Sequence, residues 1–68
     1  MYGIKYHGGG GFPGEVGSTL REAKKYLKKA LVDHVRVELY AWDEKARCWN
    51  HVETFRNESE VSSFRRRG

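Results

Sequence analysis

The apolar positions near the start of the chain alternate with polar ones. In "MYGIKYH", Tyr2, Ile4 and Tyr6 share one face of an extended segment. A period of two with aromatic and β-branched residues predicts a first strand over residues 1–7. The next residues, 8–18, hold most of the chain's glycines and its single proline, and we interpret them as a glycine-rich loop.

The period then changes to that of a helix. Thr19 and Glu22 form a T-x-x-E capping box, which predicts a helix over residues 19–33. The apolar stripe of this helix consists of Leu20, Ala23, Leu27, Ala30 and Leu31. Its opposite face is basic and carries Arg21, Lys24, Lys25, Lys28 and Lys29. The helix should therefore pack one side on a sheet and present cations on the other.

Alternation returns in the second half and predicts a hairpin of residues 35–42 and 47–56. On its first strand, Val35, Val37, Leu39 and Ala41 should face inward, and Arg36, Glu38, Tyr40 and Trp42 outward. The second strand alternates imperfectly, with Cys48 and Val52 on one face and Trp49 and Phe55 on the other. Either both of its faces are partly covered or a bulge shifts the register.

Residues 57–68 favour a short helix or a frayed tail, with a second capping box at Asn57 and Glu60. We therefore expect one α+β domain over residues 1–68, in which one helix covers a three-stranded sheet in β-α-β-β order. The outer sheet face is either open or covered by the C-terminal segment through Val61 and Phe64.

Composition restricts the class of protein. The chain has 68 residues and a single cysteine, Cys48, so no disulfide forms within it, and we expect a cytoplasmic setting. No apolar run approaches the ~20 residues of a membrane span, and we expect no membrane partner. A core this small often relies on oligomerisation, so the protein is a monomer or a homodimer.

The motifs that would indicate catalysis, phosphate binding or metal binding are incomplete. "HGGG" at residues 7–10 resembles an oxyanion-hole string, but no G-x-S-x-G nucleophile motif accompanies it, and we expect no enzyme. The P-loop pattern is also absent. Cys48 and His51 should point to opposite faces of a strand, so no metal or cofactor is predicted. The glycine loop, with Phe12 at its tip, is then a connector that we expect to adapt to a partner surface.

Two surfaces remain as candidate binding sites. The net charge of +4 and the basic helix face are compatible with nucleic acid, although a solvated helix face has the same composition. The aromatic residues Tyr40, Trp42 and Trp49 lie beside acidic residues and favour a protein partner.

The layout resembles that of small phage-encoded anti-CRISPR proteins. The resemblance covers residues 1–56 and rests on the element order and on the helix opening "STLREAK" at residues 18–24. It implies a non-catalytic inhibitor that binds a bacterial CRISPR effector and blocks its access to guide RNA, target DNA or nuclease. We therefore expect a host protein or ribonucleoprotein complex as partner. The alternative is direct DNA or RNA binding through the basic helix face and the arginines at 65–67.

Overall fold

A computed structural model describes residues 1–6 and 13–65. In these residues the chain forms strands β1 (Tyr2–Tyr6) and β2 (Gly14–Gly17), helix α1 (Leu20–Ala30), strands β3 (Val37–Asp43) and β4 (Cys48–Phe55), and helix α2 (Glu58–Ser63). The strands form one antiparallel sheet in the order β2-β1-β3-β4. This is an α+β architecture, as predicted, but the expected three-stranded sheet is wrong because a fourth strand is present.

The fourth strand, β2, lies inside the segment predicted as loop, residues 8–18. It pairs with β1 through Tyr2↔Gly17, Gly3↔Glu15 and Ile4↔Gly14. Without it, one edge of β1 would expose unpaired backbone N–H and C=O groups. Val16 adds a partly buried side chain packed against the core. Strand pairing thus overrides the low β-propensity of a segment with two glycines.

The core lies between the sheet and the helices. Its buried side chains are Ile4, Ala23, Leu27, Ala30, Val37, Leu39, Phe55 and Val61. They come from both helices and three strands, so both helices cover the same sheet face. Full burial of one such Val, Leu or Phe contributes about 1.5–3 kcal/mol. We call the helix-covered side the inner face of the sheet.

Helix α1 begins as predicted and ends earlier. The Glu22 N–H donates to Thr19 Oγ1 at 3.2 Å, so Thr19 is the N-cap. The helix ends at Ala30, where the His34 N–H donates to the Ala30 carbonyl at 3.0 Å and closes a turn. The predicted end at residue 33 and the inward orientation of Val35 are wrong. Val35 is 78% exposed because β3 begins only at Val37.

The irregular alternation of β4 comes from a bulge. Leu39 pairs with Glu53, but Tyr40 pairs with His51, so one extra residue lies between these pairs. The bulge allows Phe55 to point into the core while Trp49 lies on the opposite face. Of the two explanations that the sequence left open, the register shift is confirmed.

Helix α2 accounts for part of the C-terminal segment. The Glu60 N–H donates to Asn57 Oδ1 at 2.9 Å, which confirms the second cap. Val61 is fully buried in the core, and the Phe64 ring meets Phe55 edge to face at 5.3 Å. The C-terminal segment up to Arg65 therefore packs on the inner face. The alternative, in which this segment covers Tyr40 and Trp42, is wrong for these residues.

Candidate binding surfaces

The sheet face opposite the helices, which we call the outer face, collects most of the predicted aromatic site residues. Residues paired across antiparallel strands lie on one face. The register pairs Gly3 with Tyr40, Tyr40 with His51, and Trp42 with Trp49. Tyr40 and Trp42 of β3 are thus brought together with Trp49 of β4, and Gly3 of β1 lies beside them.

The aromatic rings of the outer face pack against one another. Trp42 and Trp49 meet at 5.3 Å between ring centroids with an interplanar angle of 70°, and Tyr40 meets His51 at 5.4 Å and 79°. These are edge-to-face contacts, the geometry that the ring quadrupole favours. We call these four side chains the aromatic cluster.

Gly3 lies directly beneath the Trp49 ring of this cluster. A Cβ atom at Gly3 would lie 3.0 Å from two ring carbons of Trp49 and 3.0 Å from Pro13 Cβ. The Trp49 indole therefore reaches across β3 and rests on the β1 backbone, at a position where any larger residue would displace it. Gly3 and His51 were not predicted as site residues, because their place beside Trp49 and Tyr40 depends on strand register.

Two carboxylates are attached to the cluster by its own polar atoms. Tyr40 Oη donates to Glu38 Oε2 at 3.2 Å, and Trp42 Nε1 donates to Glu44 Oε2 at 2.7 Å. Burial, together with the nearby Glu38 charge, raises the pKa of the Tyr40 phenol above its usual value. Tyr40 and Trp42 thus each hold a carboxylate at the polar edge of the ring.

A cation already lies over one ring. Lys5 Nζ is 6.0 Å from the centroid of the Tyr40 ring, at the outer limit of a cation–π contact. Lys5 pairs with Glu38 across the sheet. On the outer face, one lysine therefore lies near an aromatic ring and opposite a glutamate in the strand register.

A notch opens at the end of the cluster beside the β3–β4 turn. It has a volume of about 440 Å³ and is lined by Trp42, Arg47, Cys48 and Trp49. Asp43 Oδ1 fixes the turn by accepting from the backbone N–H groups of Lys45 at 3.0 Å and Ala46 at 3.1 Å. These bonds, with one from Asn50, lower the pKa of the Asp43 carboxyl.

The basic residues of α1 form a second surface on the other side of the molecule. Arg21, Lys25 and Lys29 are exposed, and Lys24 and Lys28 are half-buried. The buried Ala23 and Leu27 face the sheet, so the cations point away from it. The predicted contact residues therefore divide into two surfaces on opposite sides of the sheet, rather than one site.

Several predicted features lie outside the described residues or apart from one another. Phe12, with His7 and the glycine run, falls in residues 7–12, and two of the three terminal arginines fall in residues 66–68. Cys48 contacts Asn50 Oδ1 at 3.7 Å, whereas His51 contacts Thr54 Oγ1 at 2.9 Å on the other face. Within residues 1–6 and 13–65, no group of three or more His, Cys, Asp or Glu side chains could hold a metal ion.

Neither helix in the described part of the chain has the length and apolarity needed to cross a membrane. No protein-family model, curated protein or solved structure matches the chain. Functional inference therefore depends on the two surfaces themselves.

Proposed function

We propose that this protein is a non-catalytic binding protein that docks its outer face on a partner protein and covers part of the partner's surface. The observation that carries this proposal is the aromatic cluster, whose tyrosine and tryptophans are only partly buried while both helices pack on the inner face. Tryptophan and tyrosine in such a position are the usual anchors of protein interfaces.

Charge supports a protein rather than a nucleic acid as the occupant of this face. Glu38 and Glu44 are hydrogen-bonded to Tyr40 and Trp42, so they remain beside the rings on which bases would stack. A phosphate backbone would be repelled by both carboxylates. A partner protein with complementary positive charge would gain from them.

The partner that we propose is a host nucleic-acid-handling complex, such as a CRISPR effector, with the protein acting as a phage-type inhibitor by occlusion. The resemblance drawn from the sequence of residues 1–56 motivates this class, although β2 adds a strand to the β-α-β-β order on which it rested. The two surfaces also suit it, since a complex of protein and nucleic acid offers counterparts to both an acidic aromatic face and a basic helix.

Affinity capture from host lysate with the immobilised protein tests the docking face. We expect Trp42→Ala to lose the captured partner and Val35→Ala to retain it. Val35 is a suitable control because it is an apolar residue, 78% exposed, in the segment between α1 and β3 and outside both surfaces. Equal capture by both variants would show that the outer face is not the docking surface.

A second function, direct DNA or RNA binding through α1, is supported by its cluster of five outward cations. Such binding should weaken steeply between about 50 and 200 mM salt because phosphate contacts release counterions. A Lys25→Glu/Lys28→Glu variant should abolish a gel shift at low salt. Lys45→Glu, an exposed charge reversal in the β3–β4 turn, should have a much smaller effect. No shift by the unaltered protein at low salt would exclude this function.

A further inference from the structure

We infer that the notch between Trp42 and Trp49 is a binding site for arginine side chains of a partner protein. This inference rests on the proposed function, because it names the chemistry of the partner that the outer face accepts. The shape of the notch, the charge beside it and a neighbouring cation–π contact carry it together.

The notch has apolar ring walls on one side and a carboxylate nearby. Trp42 and Trp49 meet edge to face at 70°, so the edge of one indole covers only part of the other, and both rings still line the notch. Glu44 is held at the edge of Trp42 by the 2.7 Å bond from Nε1. A planar cation lying on the indole would therefore have a charged acceptor within reach of its edge.

This arrangement suits a guanidinium group better than an ammonium group. Guanidinium is planar and weakly hydrated, stacks on aromatic faces and donates bidentate bonds to carboxylates. An ammonium group is compact and strongly hydrated, so leaving water costs it more. On the same face, Lys5 Nζ lies within the outer limit of a cation–π contact with the Tyr40 ring, at 6.0 Å from its centroid.

The basic charge elsewhere on the molecule does not cancel this attraction. The α1 cations lie on the far side of the sheet, and exposed charges are largely screened beyond about 8 Å at physiological ionic strength. The nearest opposing charge is Arg47, which lines the notch itself. Removing this cation should strengthen arginine binding, because it removes a repulsion between like charges.

A short peptide of consecutive arginines, titrated into ¹⁵N-labelled protein, tests the site through the two indole N–H resonances. We expect the Trp42 and Trp49 resonances to shift, with a matched lysine peptide binding more weakly. Glu44→Gln keeps an oxygen acceptor for Trp42 Nε1 but removes the charge, and it should weaken arginine-peptide binding by about three- to tenfold. Glu58→Gln, the same change on α2, should leave the affinity unchanged, and Arg47→Gly should raise it.

Three results would overturn the inference: equal affinity of the arginine and lysine peptides, no effect of Glu44→Gln, or indole shifts produced by a single-stranded oligonucleotide and not by the peptide. The last result would identify the outer face as a nucleic-acid surface. If the peptide does not bind but partner capture still requires Trp42, the arginine site fails while the proposed protein-docking function stands.

Discussion

The contact between Gly3 and Trp49 makes a measurable prediction about the outer face. Gly3 is buried in β1, and its φ angle is not positive, so alanine fits the backbone conformation there. The new methyl group would nevertheless lie 3.0 Å from the Trp49 ring and from Pro13. We expect Gly3→Ala to destabilise the fold and to shift the indole by a few tenths of an ångström.

Two opposing effects determine how much Gly3→Ala changes the free energy of unfolding. Forcing a methyl group into a packed contact destabilises by about 1–3 kcal/mol. Replacing glycine by alanine at a compatible position stabilises by about 0.4–1 kcal/mol, because the unfolded chain loses freedom. The expected net loss is roughly 1 kcal/mol, a large share of the roughly 3–5 kcal/mol that one small core supplies. In a Trp49→Leu background the contact with the ring is absent and only the contact with Pro13 Cβ remains, so Gly3→Ala should destabilise the fold less.

A double-mutant cycle measured by urea unfolding checks this reasoning. Far-UV circular dichroism would follow the fold, and near-UV circular dichroism would report the Trp42–Trp49 contact. A loss of about 1 kcal/mol corresponds to a melting temperature lower by roughly 4–8 °C in a chain of this size. If Gly3→Ala destabilises equally with tryptophan and with leucine at position 49, the ring does not rest on Gly3 and the described cluster geometry is wrong.

Three further changes test other parts of the structure. Gly17 has a φ of +133°, and a Cβ there would lie 2.9 Å from Glu22 Cβ. Gly17→Ala should therefore lower the unfolding free energy by about 1–3 kcal/mol. Gly14→Ala, where a Cβ meets open space, should be nearly neutral in the same urea titration. Arg47 has a φ of 54°, so Arg47→Gly should raise the melting temperature by relieving about 1 kcal/mol of strain; no gain would show that the turn relaxes without it. The Asp43 pKa is lowered in the folded state, so its stabilising effect is complete above the unfolded-state pKa and lost as pH falls through the folded-state value. Stability measured below about pH 4 should therefore fall less in Asp43→Asn than in the unaltered protein, and parallel pH profiles would contradict this assignment.

Local pattern was sufficient to predict the elements whose signals lie within a single segment. The T-x-x-E box located the start of α1 at Thr19, and alternation located β3 and its outward Tyr40 and Trp42. Each of these features depends on residues a few positions apart. They could be inferred because the helical and extended backbones repeat with fixed periods.

The features that could not be predicted depend on distant partners. β2 contains only four residues, too few for a period to be recognised, and it forms because β1 offers an unpaired edge. The position of Trp49 depends on a bulge whose place is fixed only by pairing with β3. The side of the sheet covered by α2 is set by Val61 joining the core, which no local pattern specifies. That packing places both helices on the inner face and leaves the outer face, on which the proposed function rests, without a helix.

The unequal distribution of large side chains between the two faces explains why binding and stability should be separable. Among the described aromatic residues, only Phe55 is fully buried in the core, while both tryptophans lie on the outer face, contact each other and are partly buried. A tryptophan that is only partly buried contributes less to folding than one in a core, because hydrophobic stabilisation follows the apolar area removed from water. A docking partner would remove the remaining exposed area of such a tryptophan from water. A tryptophan at the centre of an interface can account for about 2 kcal/mol or more of the binding free energy.

Trp42→Ala should therefore reduce partner affinity by a larger factor than it reduces the folding equilibrium constant, whereas Leu27→Ala in the core should do the reverse. A Trp42→Ala variant that loses stability and affinity in equal measure would indicate that the aromatic cluster serves the fold rather than a partner.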